Sequence, residues 1–505
     1  MSLPPIEGLA ELDDAALAGL REALRTGGYD GRVIADSERI APGLFDALRL
    51  PLVRRFLRNL SGPASDLALL LAYRTAVPAE RVRAALGDSL TDRLIRAELL
   101  ETNGESIVSR FILMAFEDNW YLSDYLDADR DAVMGPGMTT LLLHRALAHS
   151  NARTVLDLGC GAASLAIAAA QRGAQAFATD LSARAVGIAK FNARLNGVVV
   201  DCRQGDCAAP VAGLTFDLIL SQPPYVPLPQ GAAGSTFLHG GRYGDELALR
   251  FAGECAGLLS PGGMAFLHFD SAVRQDAPLA ERLRVVTASS LVDSMALVEK
   301  APSLDHQAVA YAASTFEALD ERYQRAVVDY REHLESMGAS EMSRLLLVLR
   351  RPPEGGEPGG RYRLVLPAPS LTKLRGDAVM RLVSALELAL SSEKDLLGSR
   401  VEVPKGARFV EERESADAPM PVRFAVRMPE GSIAQDRELG ERGWALFGLL
   451  GSGLTIGEAL VRFAEMCGEP AAVLRGEVIG FVREGLARGL LEPSEQDRQG
   501  RRPGS

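Results

Sequence analysis

The stretch Thr154-Val-Leu-Asp-Leu-Gly-Cys-Gly-Ala-Ala-Ser164 decides how this chain folds. An apolar run of strand formers ends on an acid, two glycines follow one residue apart, and a helix of small residues begins (SLAIAAAQR). Glycine reaches backbone angles that other residues avoid and lets a ligand approach the main chain, while the start of the next helix offers free N–H groups. The stretch therefore reads as a ligand-binding turn between a strand and a helix. A dinucleotide fingerprint uses a similar turn, and three details separate the two. Asp157 precedes the glycines, where it would repel a pyrophosphate and accept hydrogen bonds from an ammonium or hydroxyl group. Ser164 stands where the third glycine of GxGxxG belongs. Asp180 closes the next strand (AFATD), placed to take both ribose hydroxyls of an adenosine, and Asp206 in QGDC is placed to face an adenine amino group. Acids at successive strand ends describe a cationic adenosine ligand without phosphate.

Outward from this turn, residues from about 131 to 352 alternate short apolar strands (TVLDLG, AFATD, FDLILS, GMAFLHF) with helices (LAIAAAQR, ARAVGIAKFNARLNG, LALRFAGECAGLL). Such alternation marks an α/β domain with a parallel sheet wrapped by helices, whose ligands collect at the carboxyl ends of the strands. The strand FDLILS runs straight into Gln222-Pro-Pro-Tyr225, so an amide oxygen, a rigid turn and a flat ring meet at one strand end.

As an ensemble, these residues resemble the class I S-adenosylmethionine-dependent methyltransferases over roughly residues 131–300. The resemblance implies a Rossmann-like domain with a mostly parallel seven-stranded sheet and S-adenosylmethionine as cofactor. In it Asp157, Gly159 and Gly161 hold the methionine end, Asp180 the ribose and Asp206 the adenine, with Leu181, Cys207, Thr139 and Gln222 among the cofactor contacts. Gln222-Pro-Pro-Tyr225 resembles the (N/D)-P-P-(Y/F) motif of methyltransferases acting on planar nitrogen, such as release-factor glutamine, ribosomal RNA and DNA adenine methyltransferases. A planar nitrogen is a poor nucleophile because its lone pair is delocalised. The Gln222 amide oxygen and the Pro223 carbonyl can accept its two N–H hydrogens and favour a pyramidal nitrogen, while Pro224 and the Tyr225 ring pack against the flat acceptor. Gln222, Pro223 and Tyr225 are thus the expected catalytic residues. The motif departs by one methylene, since glutamine replaces asparagine and displaces the amide by about 1.5 Å. Either the backbone adjusts, or the acceptor is not a planar nitrogen. The plainer alternative is a rigid strand-end turn whose Tyr225 lines the cofactor.

Two fragments support the resemblance. HGGRYGDEL (His239–Leu247) looks like the glycine-rich loop these enzymes carry after their motif, and VMGPGMTTLLL (Val133–Leu143) like the segment before their first strand. Thr139 or Thr140 could cover the cofactor or cap a helix. His239 could be a general base or a structural loop histidine, and with Tyr243 and Trp120 it is expected near the substrate. For Trp120 and Tyr121 the alternative is interdomain packing.

The flanks complete the layout. Residues 1–127 read as a helical, winged-helix-like domain, residues 128–352 as the methyltransferase domain, 362–493 as a C-terminal α+β winged-helix-like module after the linker-like RPPEGGEPGGR, and 494–505 as a disordered tail. The third N-terminal helix mixes Arg93 and Arg96 with Asp92 and Glu98, which favours packing or protein contact over DNA. The net charge of -11 weighs against nucleic acid as a partner. Five cysteines without a CxxC pair indicate neither a disulfide framework nor a metal site. With no signal-like start and no long apolar run, a cytoplasmic protein is expected. The reading is N-methylation of an amide or amino nitrogen on a peptide, protein or specialised metabolite. RNA N-methylation, small-molecule O-methylation and a non-catalytic cofactor-sensing regulator are the alternatives.

Overall fold

In the computed structural model, which describes residues 3–41, 46–125, 131–232, 234–287, 292–316, 319–354, 359–412 and 423–500, the decisive stretch forms an interior strand of an eight-stranded sheet and the turn after it. Its strands are β1 (Thr154–Leu158), β2 (Gln175–Asp180), β3 (Val200–Gln204), β4 (Phe216–Ser221), β5 (Leu259–Val273), β6 (Asp293–Lys300), β7 (Glu341–Arg350) and β8 (Arg363–Pro367), in the order β8-β6-β7-β5-β4-β1-β2-β3. The pairs β1–β2, β2–β3, β1–β4 and β4–β5 are parallel and β5–β7 is antiparallel. Seven strands were expected. The eighth is the short β8 at the edge, drawn from the region read as the start of the C-terminal module. Helices α1 (Met138–Ala148), α2 (Ser164–Gln171), α3 (Ala183–Leu195) and α4 (Glu246–Leu258) accompany the parallel strands. Strand burial explains the composition: Val155, Leu156 and Leu158 of β1 and Leu218, Ile219 and Leu220 of β4 are all buried, as in a sheet covered on both faces.

The chain divides into two compact units. The first unites the N-terminal region with the sheet domain, which share an apolar core that takes in Phe191 and Leu195 of α3, and are joined by a polar zipper. Leu122 N–H donates to Asn192 Oδ1 at 2.7 Å and Asn192 Nδ2 returns a bond to the Leu122 carbonyl at 2.9 Å. Asn196 makes the same reciprocal pair with the Trp120 backbone at 3.1 and 2.8 Å. Arg21 also donates to the Leu195 carbonyl at the end of α3, at 2.8 Å. The boundary expected at 127 falls on residues 126–130, outside the described residues.

Within the N-terminal region, Asp13 caps the helix Asp14–Thr26, whose Leu17, Leu20 and Leu24 are buried, as their spacing requires. Helices Ala79–Leu86 and Asp88–Arg96 precede an antiparallel pair, Leu100–Asn103 with Ser106–Ser109, joined by the short strand Val77–Pro78. Within SIVSRFILMAF (Ser106–Phe116) the chain forms two strands, Ser106–Ser109 paired with Leu100–Asn103 and Ile112–Phe116 paired with Asn119–Ser123.

The second unit packs helices Ala378–Ala389, Glu441–Leu450, Ile456–Cys467 and Ala471–Ala487 around a buried core that includes Phe447, Phe463 and Val478. A three-stranded sheet orders Arg408–Glu412, Arg423–Arg427 and Arg437–Leu439. The tail expected to be disordered is partly ordered: Glu495–Gly500 is helical, with Asp497 accepting the Arg400 N–H at 2.7 Å and the Ser494 hydroxyl at 2.8 Å. Residues 501–505 lie outside the described residues, as do 355–358 of the Pro/Gly stretch.

Candidate active site

A cleft opens at the carboxyl ends of β1, β2 and β4, where topology places it. Gly159 and Gly161 have φ of +71° and +49°, so the turn after β1 needs glycine. A Cβ on Gly159 would also stand 3.1 Å from the Phe251 ring of α4. Backbone angle and neighbour thus demand the same residue.

Asp157, only 3% exposed, accepts the Ala166 N–H in α2 at 3.2 Å. Burial pushes its carboxyl up to about 8; the Ala166 N–H pulls the other way, and the negative Asp180 adds to the rise. Asp180 ends β2 and spans the turn. One oxygen accepts the Gly161 N–H and the other the Ser182 N–H, both at 2.9 Å, and burial again raises its pKa above the usual carboxylate range. Leu181 lines the cleft with its side chain largely in solvent, 60% exposed, and Cys207 lines it from a left-handed backbone position. Asp206 lines the cleft too, but its carboxylate is ion-paired with Arg250 at 2.7 Å, and Arg250 reaches on to Glu254 at 2.9 Å. That pairing was not read from the sequence, where Arg250 is one basic residue on an unremarkable helix. Among the described residues, no lysine, arginine or histidine lines the cleft, while three aspartates do.

At the end of β4 the Ser221 hydroxyl donates to the Leu158 carbonyl at 2.7 Å, which fixes the strand end against β1. Gln222 then turns toward the first turn of α1, where Nε2 donates to Thr139 Oγ1 at 2.7 Å and Oε1 accepts from Thr140 Oγ1 at 3.0 Å. Gln222, Pro223, Pro224, Tyr225 and Thr140 line the cleft; Thr139 does not, so the expectation that it contacts the cofactor is replaced by a contact to Gln222. Tyr225 packs with Phe237 in a cluster that includes Tyr311 and Tyr330. Burial holds its phenol above the ordinary tyrosine range, and the negative Asp270 acts in the same direction.

The glycine-rich loop supports this turn from behind. Val226–Pro227 pairs in parallel with His239–Gly241, and a Cβ on Gly240 or Gly244 would stand 2.4 Å from the carbonyl oxygen of Pro224 or Tyr225. Backbone can approach backbone only because both residues lack side chains.

Three residues expected near the substrate are elsewhere. His239 Nδ1 accepts the Ser235 N–H at 2.9 Å, so its proton sits on Nε2, which lies 2.9 Å from the Tyr330 hydroxyl. With both nitrogens engaged, and with burial lowering its pKa, His239 is a loop strut and does not line the cleft. Tyr243 is covered by the Arg274 guanidinium at 3.8 Å and also lies outside the cleft lining. Trp120 is buried in the N-terminal core, where its indole N–H donates to the Tyr29 carbonyl at 2.8 Å. The packing alternative holds for it.

Phe251, Phe237, Leu238 and Met134 line the cleft without having been singled out. Met134 follows Val133, whose N–H and C=O both bond Asp124, itself ion-paired with Arg184 at 2.5 Å. Only the Gly159 requirement hinted at a bulky neighbour.

Residues 136–273 match the model of the methyltransferase small domain family. A release factor glutamine methyltransferase of Deinococcus radiodurans is 35% identical over 172 residues, which are 32% of this chain and 61% of that protein. This chain therefore spans about three fifths of that relative. A Xylella fastidiosa protein of the same name is 42% identical over 129 residues, 23% of this chain and 46% of its own. A Methanocaldococcus jannaschii protein, provisionally named a protein N5-glutamine methyltransferase, is 34% identical over 137 residues, 26% of this chain and 69% of its own length. With the turn, the acids and the QPPY strand end all inside the matched segment, the chain belongs to the methyltransferase small domain family of class I S-adenosylmethionine-dependent methyltransferases.

Proposed function

We propose that this protein methylates a side-chain amide nitrogen of a protein or peptide, using S-adenosylmethionine. The observation that carries the reading is the placement of the Gln222 carboxamide and the Pro-Pro turn at the rim of a cleft that bears three carboxylates and no cationic side chain among the described residues. The donor set fits the cofactor: a sulfonium and an ammonium are welcome beside Asp157 and Asp180, and a pyrophosphate is not. The positive φ of Gly159 and Gly161 leaves main chain free of Cβ atoms along the same wall.

In this reading Asp180 uses its remaining lone pairs for the ribose hydroxyls, Asp206 and the Cys207 backbone face the adenine edge, and Leu181 covers the adenine face. Asp157 and the Gly159–Gly161 turn hold the methionine end. When bound, the cofactor supplies an electrophilic methyl group. The chain's own contribution is positioning: Gln222 Oε1 and the Pro223 carbonyl accept the two hydrogens of the acceptor nitrogen, and Pro224 and Tyr225 pack against its plane. The acceptor nitrogen gains the methyl carbon as the carbon–sulfur bond breaks, and the methylated amide, a strong acid, passes one N–H proton to water, so no strong base is needed, in keeping with His239 lying outside the cleft lining. The printed names of the relatives, glutamine methyltransferases, favour an amide over an amine or a nucleobase. We take the two helical flanks with their short strands as winged-helix-like modules that present a protein partner. The protein is read as cytoplasmic; among the described residues no helix is long and apolar enough to cross a membrane.

The test is incubation with radiolabelled methyl donor and either bacterial extract or purified release factor, followed by mass spectrometry of labelled peptides. N-methylglutamine in protein, lost in Gln222→Ala while cofactor binding persists, is the expected result. Label confined to RNA, or full transfer by Gln222→Ala, would overturn it.

A further inference from the structure

Glutamine at the head of the strand-end motif reaches about 1.5 Å farther than asparagine, a displacement that positioning chemistry does not tolerate uncorrected. The structure holds a correction. The Gln222 carboxamide lies between two consecutive hydroxyls, donating to Thr139 Oγ1 at 2.7 Å and accepting from Thr140 Oγ1 at 3.0 Å. Thr140 Oγ1 itself accepts the Gly137 N–H at 3.3 Å, which leaves its hydroxyl hydrogen free to serve Gln222 Oε1. A carboxamide has two N–H groups and two carbonyl lone pairs, and the bracket consumes one of each. One lone pair and one N–H remain for an acceptor.

We infer that Thr139 and Thr140 are positioning residues of the methyl-transfer centre, which draw back the longer Gln222 side chain and fix the direction of its carbonyl lone pair at the cleft. The inference rests on the methyl-transfer reading above. The other contacts at the turn act elsewhere than on Gln222: the Ser221 hydroxyl on the Leu158 carbonyl, the close approach of Gly240 to the Pro224 carbonyl, and the packing of the Tyr225 ring. Among the described residues, the threonine pair is what hydrogen-bonds the Gln222 carboxamide and so fixes its side-chain torsions. It does so from α1, before β1 in sequence, so that the start of the domain and the end of β4 are set by one contact.

The experiment compares Thr139→Val, Thr140→Val and the double variant with Thr139→Ser and Thr140→Ser, using radiolabelled S-adenosylmethionine with purified release factor. Valine removes the hydroxyl at nearly constant shape, and serine keeps it. The double valine variant is expected to lose about 100-fold in kcat, the scale of an ångström-sized misplacement, with S-adenosylhomocysteine affinity by calorimetry and acceptor KM changed less than about threefold. The serine variants are expected to recover most of the rate. In a Gln222→Asn background, whose shorter arm does not need the bracket, the valine changes should cost nothing further. Wild-type kcat in the valine variants, equal losses in both backgrounds, or a loss that appears only as weakened cofactor binding would each overturn the inference. A second readout needs no acceptor: the Gln222 side-chain amide proton resonances should shift in Thr139→Val. If they shift but the wild type labels no protein, the bracket stands and the methyl-transfer reading fails; if they do not shift, the bracket fails whatever the wild type labels.

Discussion

Asp157 sits in a cleft whose described lining carries no positive side chain, and burial raises its carboxyl to about 8, with Asp180 adding to the rise. In the free protein at pH 6 this group holds its proton. A ligand ammonium placed beside it, which S-adenosylmethionine and S-adenosylhomocysteine both carry, reverses the balance, because an opposite charge at short range favours the carboxylate. Binding should therefore release close to one proton below pH 8. The linkage gives the magnitude: affinity should rise by up to about tenfold per pH unit between pH 6 and 8, about 1.4 kcal/mol each, and level off above 8. The assay is titration calorimetry with S-adenosylhomocysteine at pH 6.5 in two buffers of different ionisation enthalpy. A heat difference equivalent to about one proton is expected, and Asp157→Asn should abolish both it and the pH dependence. An affinity flat from pH 6 to 8, with heats independent of buffer, would refute the reasoning. The same group has a signature in the free protein. Its folded pKa lies above the usual 3.8, so the stability it contributes is whole below pH 4 and is lost as pH rises toward 8.

Three further outcomes follow from particular contacts. His268 on β5 is 1% exposed, neither ring nitrogen has a hydrogen-bond partner among the described residues, and burial lowers its pKa to about 3. Stability it permits above pH 6.5 is lost as pH falls toward 3, so His268→Leu should raise the melting temperature more at pH 5 than at pH 8, and equal shifts at both would contradict this. Gly159→Ala combines a φ of +71° with a contact to Phe251 at 3.1 Å and is expected to cost about 1–3 kcal/mol in urea unfolding and to weaken cofactor binding at least tenfold. Trp120→Phe strands the Tyr29 carbonyl in the N-terminal core, costing about 1–3 kcal/mol, yet should leave S-adenosylhomocysteine affinity unchanged; a lost affinity would return Trp120 to the site.

What was legible in the sequence is what local chemistry dictates. A pair of glycines between an apolar strand and a helix leaves few alternatives, and acids at strand ends follow from a parallel sheet whose ligands collect at its carboxyl edge, so Asp157, Asp180 and the Gln222 turn fell into one cleft. The residues misplaced by sequence reasoning were those whose neighbours come from far along the chain. His239 is held by Tyr330, 91 residues away, and Trp120 bonds to Tyr29, also 91 residues away. Arg250 reached Asp206 across 44 residues, and nothing local announces such a pairing. Distance in sequence also hid the answer to the departure at Gln222, since Thr139 lies 83 residues before it. Read locally, the extra methylene weakened the case for a planar-nitrogen acceptor; beside two hydroxyls at hydrogen-bond distance, it is a longer arm with its own support. A substitution in a motif is therefore informative only together with the residues that receive the changed side chain, and here those residues were present in VMGPGMTTLLL, read as covering the cofactor or capping a helix.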